Sequence, residues 1–303
     1  MLLRRSLMTV AALGTTALVL AGCSSTPSSS ASKPTIKIGA TNFEEQEIVA
    51  NLYGDVLTKA GYKVKVESAL GTRAVVVPAI EHAQIDLEPD YAASLLGYLH
   101  GGKPQPAGTQ IATAIAADKT ALSSSGVTVL PASSALDTNV FAVTKATATK
   151  DHLTTISSLA PYASKMILGG PPECPTFAGC EPGLTSVYGL HFASFKSLDE
   201  AGPLSVAALK NGEVQVVELF SSDGNVVSNN FVALVDDKHL EGADYIVPVI
   251  RKSVDTAAVA AALNSLDTKL TTTAISQLNL DVTANKEQPA AVAKTWLTSV
   301  GLG

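Results

Sequence analysis

Basic charge is scarce in this sequence. Lysine and arginine number 21 against 27 aspartates and glutamates, a formal net charge of −6. That balance excludes nucleic acid and anionic lipid as natural ligands. Histidine is nearly as sparse: His82, His100, His152, His191 and His239 are scattered and never paired at helical or turn spacing. A metalloprotease helix is therefore absent, as are a P-loop, a dinucleotide fingerprint and a nucleophile elbow, each of which has a spacing that can be searched for. No catalytic residue, cofactor or metal site is expected. There is no solenoid repeat either.

The chain begins "MLLRRSLMTVAALGTTALVLAGCSS". Two arginines precede an apolar run of secretory-signal type, which is not a mature transmembrane helix. "LAGC" resembles the lipobox at which bacterial lipoproteins are cleaved and acylated, here on Cys23. Residues 1–22 then form a lipoprotein signal peptide. Residues 23–34, "CSSTPSSSASKP", lack the apolar side chains a core requires and form a flexible tether. The expected location is extracytoplasmic, with the body lipid-anchored to the cell membrane and in contact with it through that anchor only. Cleavage removes Arg4 and Arg5 but no acid, so the mature chain is more acidic still.

Of the three cysteines, Cys174 and Cys180 remain. They sit in the turn-rich segment "PPECPTFAGCEPG", and an oxidising compartment permits a disulfide across that short loop. A zinc site is the rival reading, but no histidine lies near at ligand spacing and two thiolates alone make a poor cage.

The remaining residues alternate strand-like and helix-like segments. "TIKIGA" is an apolar strand. "FEEQEIVANLYGDVLTKAGY" follows, with Ile48, Leu52 and Val56 at helical spacing. Asn42 and Glu45 have the spacing of a capping box, and Gly61 stops the helix. "YKVKVES" returns as a second strand, parallel to the first. Thr72 caps a second helix, and "IDLEP" is a third strand. A second α/β unit is formed by "KMILGG", "GLTSVYGLHF", "LSVAALKNG" and "VQVVELF". It is bracketed by the extended segments "NVFAVTK" and "NFVALVDD", read as strands that carry the chain out of a first lobe and back. C-terminal helices rejoin that first lobe. The fold class expected is α/β, two lobes with a cleft between them, the usual home of a small ligand.

The stretch "IDLEPDYAASLLGYL" tests for an acid–base pair. Glu88 and Asp90 point the same way from an extended segment, whereas glycosidase carboxylates flank a bond from different elements about 5–10 Å apart. A structural role is preferred: Pro89 marks a turn at the strand end, and Asp90 caps the following helix. Tyr91 lies at the carboxyl end of a strand, where open α/β sheets receive ligands; periodicity alone favours a core aromatic.

"IKIGATNFEEQEIVANLYGDVL", "GYKVKVESALGT", "QIDLEPDYAASLL", "ALKNGEVQVVELFSSDG" and "ALNSLDTKLTTTAISQLN" together resemble the motifs of substrate-binding proteins from osmoprotectant ABC transporters, the glycine betaine, choline and carnitine (ProX-like) type. The resemblance runs in order from about Ile36 to Leu302. It implies a type II periplasmic-binding-protein-like fold with lobe I at 35–139 and 237–303, lobe II at 140–236, and two hinge strands. It implies no enzyme but a receptor that delivers a small osmolyte to ABC permease subunits. Carried over by motif, the ligand-binding residues are Tyr91, Phe141 and Phe220 as aromatic faces, with Asn139, Asn42, Gln46, Thr72 and Tyr245 beside them. Two tyrosines of the family's cage appear here as phenylalanine, which keeps a π face and loses the hydroxyl. The loop where many relatives place an arginine reads "ECPTFAGC", with Phe177 near that place and no basic residue. The ligand class is thus a quaternary ammonium compound, with choline, another amine or an apolar solute left open. A sensor or non-transport lipoprotein of the same fold is the alternative.

Overall fold

The computed structural model describes residues 33–101, 109–199 and 201–303. The expected signal peptide, Cys23 and the expected tether before Lys33 lie outside the described residues. In chain order the elements are β1 (Thr35–Gly39), α1 (Glu44–Lys59), β2 (Lys63–Glu67), α2 (Arg73–Glu81), β3 (Leu87–Tyr91), α3 (Ala92–Leu99), α4 (Ile111–Ala121) and β4 (Val127–Val129). The second unit follows with β5 (Asn139–Thr144), α5 (Lys145–Asp151), β6 (Ile167–Gly170), α6 (Glu181–Tyr188), β7 (Ser194–Ser197), α7 (Pro203–Lys210), β8 (Val216–Phe220), α8 (Gly224–Ser228) and β9 (Phe231–Ala233). The chain ends with β10 (Ile246–Arg251), α9 (Ala257–Asp267), α10 (Thr272–Thr283) and α11 (Pro289–Ser299).

Two five-stranded sheets result, ordered β2-β1-β3-β10-β4 and β7-β6-β8-β5-β9. β1 runs parallel to β2 and β3, and β6 parallel to β7 and β8, as the strand–helix–strand alternation requires. β10 and β5, the first strand after each crossing between sheets, run antiparallel to their neighbours. Each sheet is covered on both faces, and the period-2 alternation of strand side chains divides the core. In β10, Ile246 and Ile250 pack with α1 and α9–α11, while Val247 and Val249 pack with α2 and α3 on the other face. In the second sheet Phe141 and Val143 share one core with Leu168 and Val216, and Ala142 shares the opposite one with Val217 and Leu219.

The two crossing segments run side by side between the sheets. The Ile246 N–H donates to Ala135 O (3.0 Å) and the Asp137 N–H to Asp244 O (2.9 Å), and Leu136 bridges Tyr245. "NVFAVTK" and "NFVALVDD" are therefore not the crossings. They supply β5 and β9 of the second sheet, paired to each other from Ala142↔Ala233 to Thr144↔Phe231. A third link joins the sheets where α8 meets α10. A Cβ on Gly224 would come within 2.5 Å of Leu280 Cβ and 2.9 Å of Ser276 O, so this approach requires glycine.

Three local expectations are corrected. The capping box at Asn42 and Glu45 does not form: Phe43 is the N-cap of α1, with no side-chain cap, because the Glu45 carboxylate is engaged elsewhere. Pro89 does not end its strand; β3 continues to Tyr91 opposite β10, with Pro89 facing Pro248. Asp90 does not cap α3, whose N-cap is Tyr91; its carboxylate accepts from the Tyr91 N–H (2.7 Å) and pairs with Arg73.

Candidate functional site

β3 ends and α3 begins at the same residue, Tyr91, whose extended backbone (φ −112°, ψ 126°) makes the strand-to-helix turn with no loop between them. Its ring is thereby delivered to the carboxyl end of the sheet. The Tyr91 hydroxyl donates to Glu45 Oε1 (2.7 Å), and Asn279 Nδ2 donates to Glu45 Oε2 (2.6 Å) and to Ser222 O (3.0 Å). Ser222 Oγ then donates to Asp137 Oδ1 (2.7 Å). One buried polar chain thus ties α1, β3 and α10 to a crossing segment and to the turn after β8. Burial pushes the Glu45 carboxyl above its usual range, against the hydrogen bonds from Tyr91, Asn279 and Ser222. Burial, then the neighbouring Glu45, push Asp137 up to about 8.

Between the sheets lies a cavity of about 390 Å³. Arg73, Tyr91 and Ser94 reach it from the first lobe, and Pro171, Glu173, Cys174, Phe177, Ala201, Glu218, Leu219 and Phe220 from the second. The crossing segments add Asp137, Thr138, Glu241 and Asp244, and the first residue of β5 adds Asn139. Three rings, Tyr91, Phe177 and Phe220, therefore share a space with five carboxylates. Arg73 is the one basic residue of the lining among the described residues. Its Nε lies 3.0 and 3.1 Å from the Asp90 oxygens and its Nη2 at 2.7 Å, so Asp90 holds much of the guanidinium. Asp244 accepts from Ser94 N (2.7 Å) and Ser94 Oγ (2.9 Å); burial raises its pKa, against these bonds. Burial, then Glu218, Asp236 and Asp244, push Glu241 well above the carboxylate range, and its buried Oε1 has no partner among the described residues.

The cavity opens into a second of about 780 Å³, with which it shares Arg73, Ser94, Phe177, Glu241 and Asp244. Tyr91 and Phe220 line the first and not the second. Beside this cleft Cys174 and Cys180 are bonded, Cα atoms 5.1 Å apart, with the Glu218 carboxylate against Cys180 Sγ (3.0 Å). Bonded sulfurs are not thiolates, so this trio is no metal cage.

The structure brings together Tyr91, Asn139 and Phe220; Asn139 and Phe220 are register partners at the end of their strand pair. It does not bring Phe141 there. Phe141 is one rung deeper, two residues or about 7 Å along β5, and is fully buried against Leu168 and Val216. Tyr245 lines a neighbouring cavity of about 470 Å³ beside the crossing segments, with Leu136 and Val140, which shares Thr138, Asn139 and Glu241 with the first. Asn42 and Thr72 are exposed at the starts of α1 and α2 and outside these linings, and Gln46 is buried beside Tyr91. Sequence reasoning missed Asp137, Glu218, Glu241 and Asp244. The one available signal was Glu218 inside the apolar strand "VVELF", since a charge in such a run needs a reason.

Two covered α/β lobes, two crossing segments and a ligand-sized cleft define a two-lobe solute-binding protein of the periplasmic type. Residues 34–299 match the family described as the substrate binding domain of ABC-type glycine betaine transport systems (OpuAC). The chain belongs to that family, a non-enzymatic, substrate-binding kind that serves ABC importers outside the cytoplasm. It is 26% identical over 275 residues to the glycine-betaine-binding protein of Pseudomonas aeruginosa, covering 87% of each chain. It is 25% identical over 292 residues to the carnitine transport binding protein of Listeria monocytogenes, covering 93% of this chain and 92% of that one. The fold matches the crystal structure of a glycine betaine/carnitine/choline ABC transporter protein with a TM-score of 0.80 at 22% identity, over 89% of this chain and 99% of the other. Among the described residues, no helix is long and apolar enough to cross a membrane.

Proposed function

We propose that this protein is a lipid-anchored extracytoplasmic receptor that captures a small quaternary ammonium osmolyte and hands it to an ABC permease. The observation that carries the reading is the meeting of Tyr91, Phe177 and Phe220 with five carboxylates in one cavity between the lobes. A quaternary ammonium has no hydrogen-bond donor, so it is selected by ring faces, each contact contributing up to about 2 kcal/mol when desolvated. The surrounding acids set the sign of the charge that enters. Lobe I at 35–139 and 237–303 and lobe II at 140–236 close over it, the crossing segments flexing, and the closed form is what the permease recognises.

Thermal shift and calorimetry against choline, glycine betaine, carnitine, ectoine and proline test this. At 100 times its Kd a ligand adds about 2.7 kcal/mol of stability. Tyr91→Ala should weaken binding at least tenfold, whereas Tyr91→Phe should keep most of the affinity because it keeps the ring. An unrelated solute shifting the transition where none of these does would refute the assignment.

Cys23 is the proposed acylation site, which tethers the body through residues 23–34, and the Cys174–Cys180 bond is proposed to form in that oxidising compartment. Intact mass spectrometry of protein purified from membranes should show an acyl adduct on Cys23 and no alkylatable thiol before reduction. Cys23→Ser should leave the membrane fraction; retention there, or two free thiols, would contradict these assignments.

A further inference from the structure

The cleft is acidic at both of its ends. Asp137, Glu173 and Glu218 line the inner cavity with Tyr91 and Phe220, while Glu241 and Asp244 stand where that cavity opens into the outer one. A betaine occupying this space would set its carboxylate among those acids. The guanidinium that would offset it, Arg73, already gives Nε and Nη2 to Asp90. Ser94, one neutral donor at this end, gives both its N–H and its hydroxyl to Asp244, and the Asn139 side chain is engaged with the Glu241 carboxyl. Glu241 Oε1 remains a buried oxygen with no hydrogen-bond partner among the described residues, and a buried polar atom left in that state is unfavourable until something donates to it.

Resting on the quaternary-ammonium reading, we infer that the end of the ligand remote from its methylated nitrogen is a hydrogen-bond donor. The preferred ligand carries a second, protonated nitrogen where a betaine carries its carboxylate. The methyl shell of the first nitrogen takes the rings Tyr91 and Phe220, and the second nitrogen takes Glu241 and Asp244. A charge-assisted bond of this kind is about twice as strong as a neutral one, so the amine gains over an alcohol as well as over an acid. The competing arrangement is a protonated Glu241 that donates to a betaine carboxylate.

Calorimetry at pH 6.5, where the amine tails carry their proton, separates the two with one skeleton and three tails: (2-aminoethyl)trimethylammonium and its aminopropyl homologue, choline, and glycine betaine, with 1,3-diaminopropane as the unmethylated control. The amine is expected to bind at least tenfold more tightly than choline and at least a hundredfold more tightly than glycine betaine. Glu241→Gln, and separately Asp244→Asn, should shrink the amine-to-choline ratio to threefold or less, with folding checked by the melting transition. Glycine betaine binding as tightly as the amine, or ratios unmoved in both variants, overturns the inference and leaves the quaternary-ammonium reading standing. If the diamine binds and no trimethylammonium compound does, that reading falls while the donor end survives; if nothing in the series binds, both fall.

Discussion

Asp267→Asn is expected to stabilise the protein at pH 8 and to flatten its pH dependence. Asp267 closes α9 at 5% exposure, and both its oxygens lack a partner among the described residues. Burial pushes its carboxyl up to about 8, and the fully buried hydroxyl of Tyr53, itself without a partner, is pushed up by burial and then by the Asp267 charge. Between the unfolded value near 4 and this folded value, the folded state holds a proton that the unfolded state has released. Stability therefore falls as pH rises through that window, by up to about 1.4 kcal/mol per pH unit for one such group, and is level again above it. Asp118 and Asp137, each also pushed up to about 8 by burial first, add slopes of the same sign. The neutral amide removes the contribution of Asp267 and none of the others. Urea unfolding at pH 5, 6, 7 and 8 should give a declining wild-type profile and a shallower one for the variant, the two diverging toward pH 8. Parallel profiles would mean that Asp267 is solvated or paired.

Phe141→Ala is expected to lose about 3–5 kcal/mol of stability, the range for deleting a large aromatic from a close-packed core. Ligand affinity, measured well below the lowered melting transition, should stay within threefold of wild type. The reason lies in one rung of a sheet. Asn139 and Phe220 end the β5–β8 pairing at the cavity; one step in, Glu218 still lines the cavity, whereas the ring of its partner Phe141 is packed among residues of α6 and the Cys174–Cys180 loop. A large affinity loss with intact stability would place the ring in the ligand site after all.

The same rung shows how far the sequence could be followed. "NVFAVTK" is visibly a strand, and a ring two residues past Asn139 is visibly on the face of Asn139. How far into the sheet the cavity reaches is set by the helices laid over that face, and no local pattern reports it. Glu45 is a similar case: three residues after Asn42 it has cap spacing, and a cap stabilises by only about 1 kcal/mol. Tyr91 and Asn279, from remote parts of the chain, outbid the cap by donating to its carboxylate inside the protein. Pro89 reads as a strand end because proline donates no ladder bond. It is tolerated inside β3 opposite another proline, Pro248, which also offers no N–H to be left unpaired.

The α/β class, the parallel strand–helix units, the return of the C-terminal helices and the family are all legible in the residues alone, because each is written in local periodicity or in the order of short motifs. The charge of the cleft is a product of folding. Asp137, Glu218, Glu241 and Asp244 come from segments that meet where the chain crosses twice between its sheets, and the distances that make them one electrostatic unit exist only once those crossings are paired.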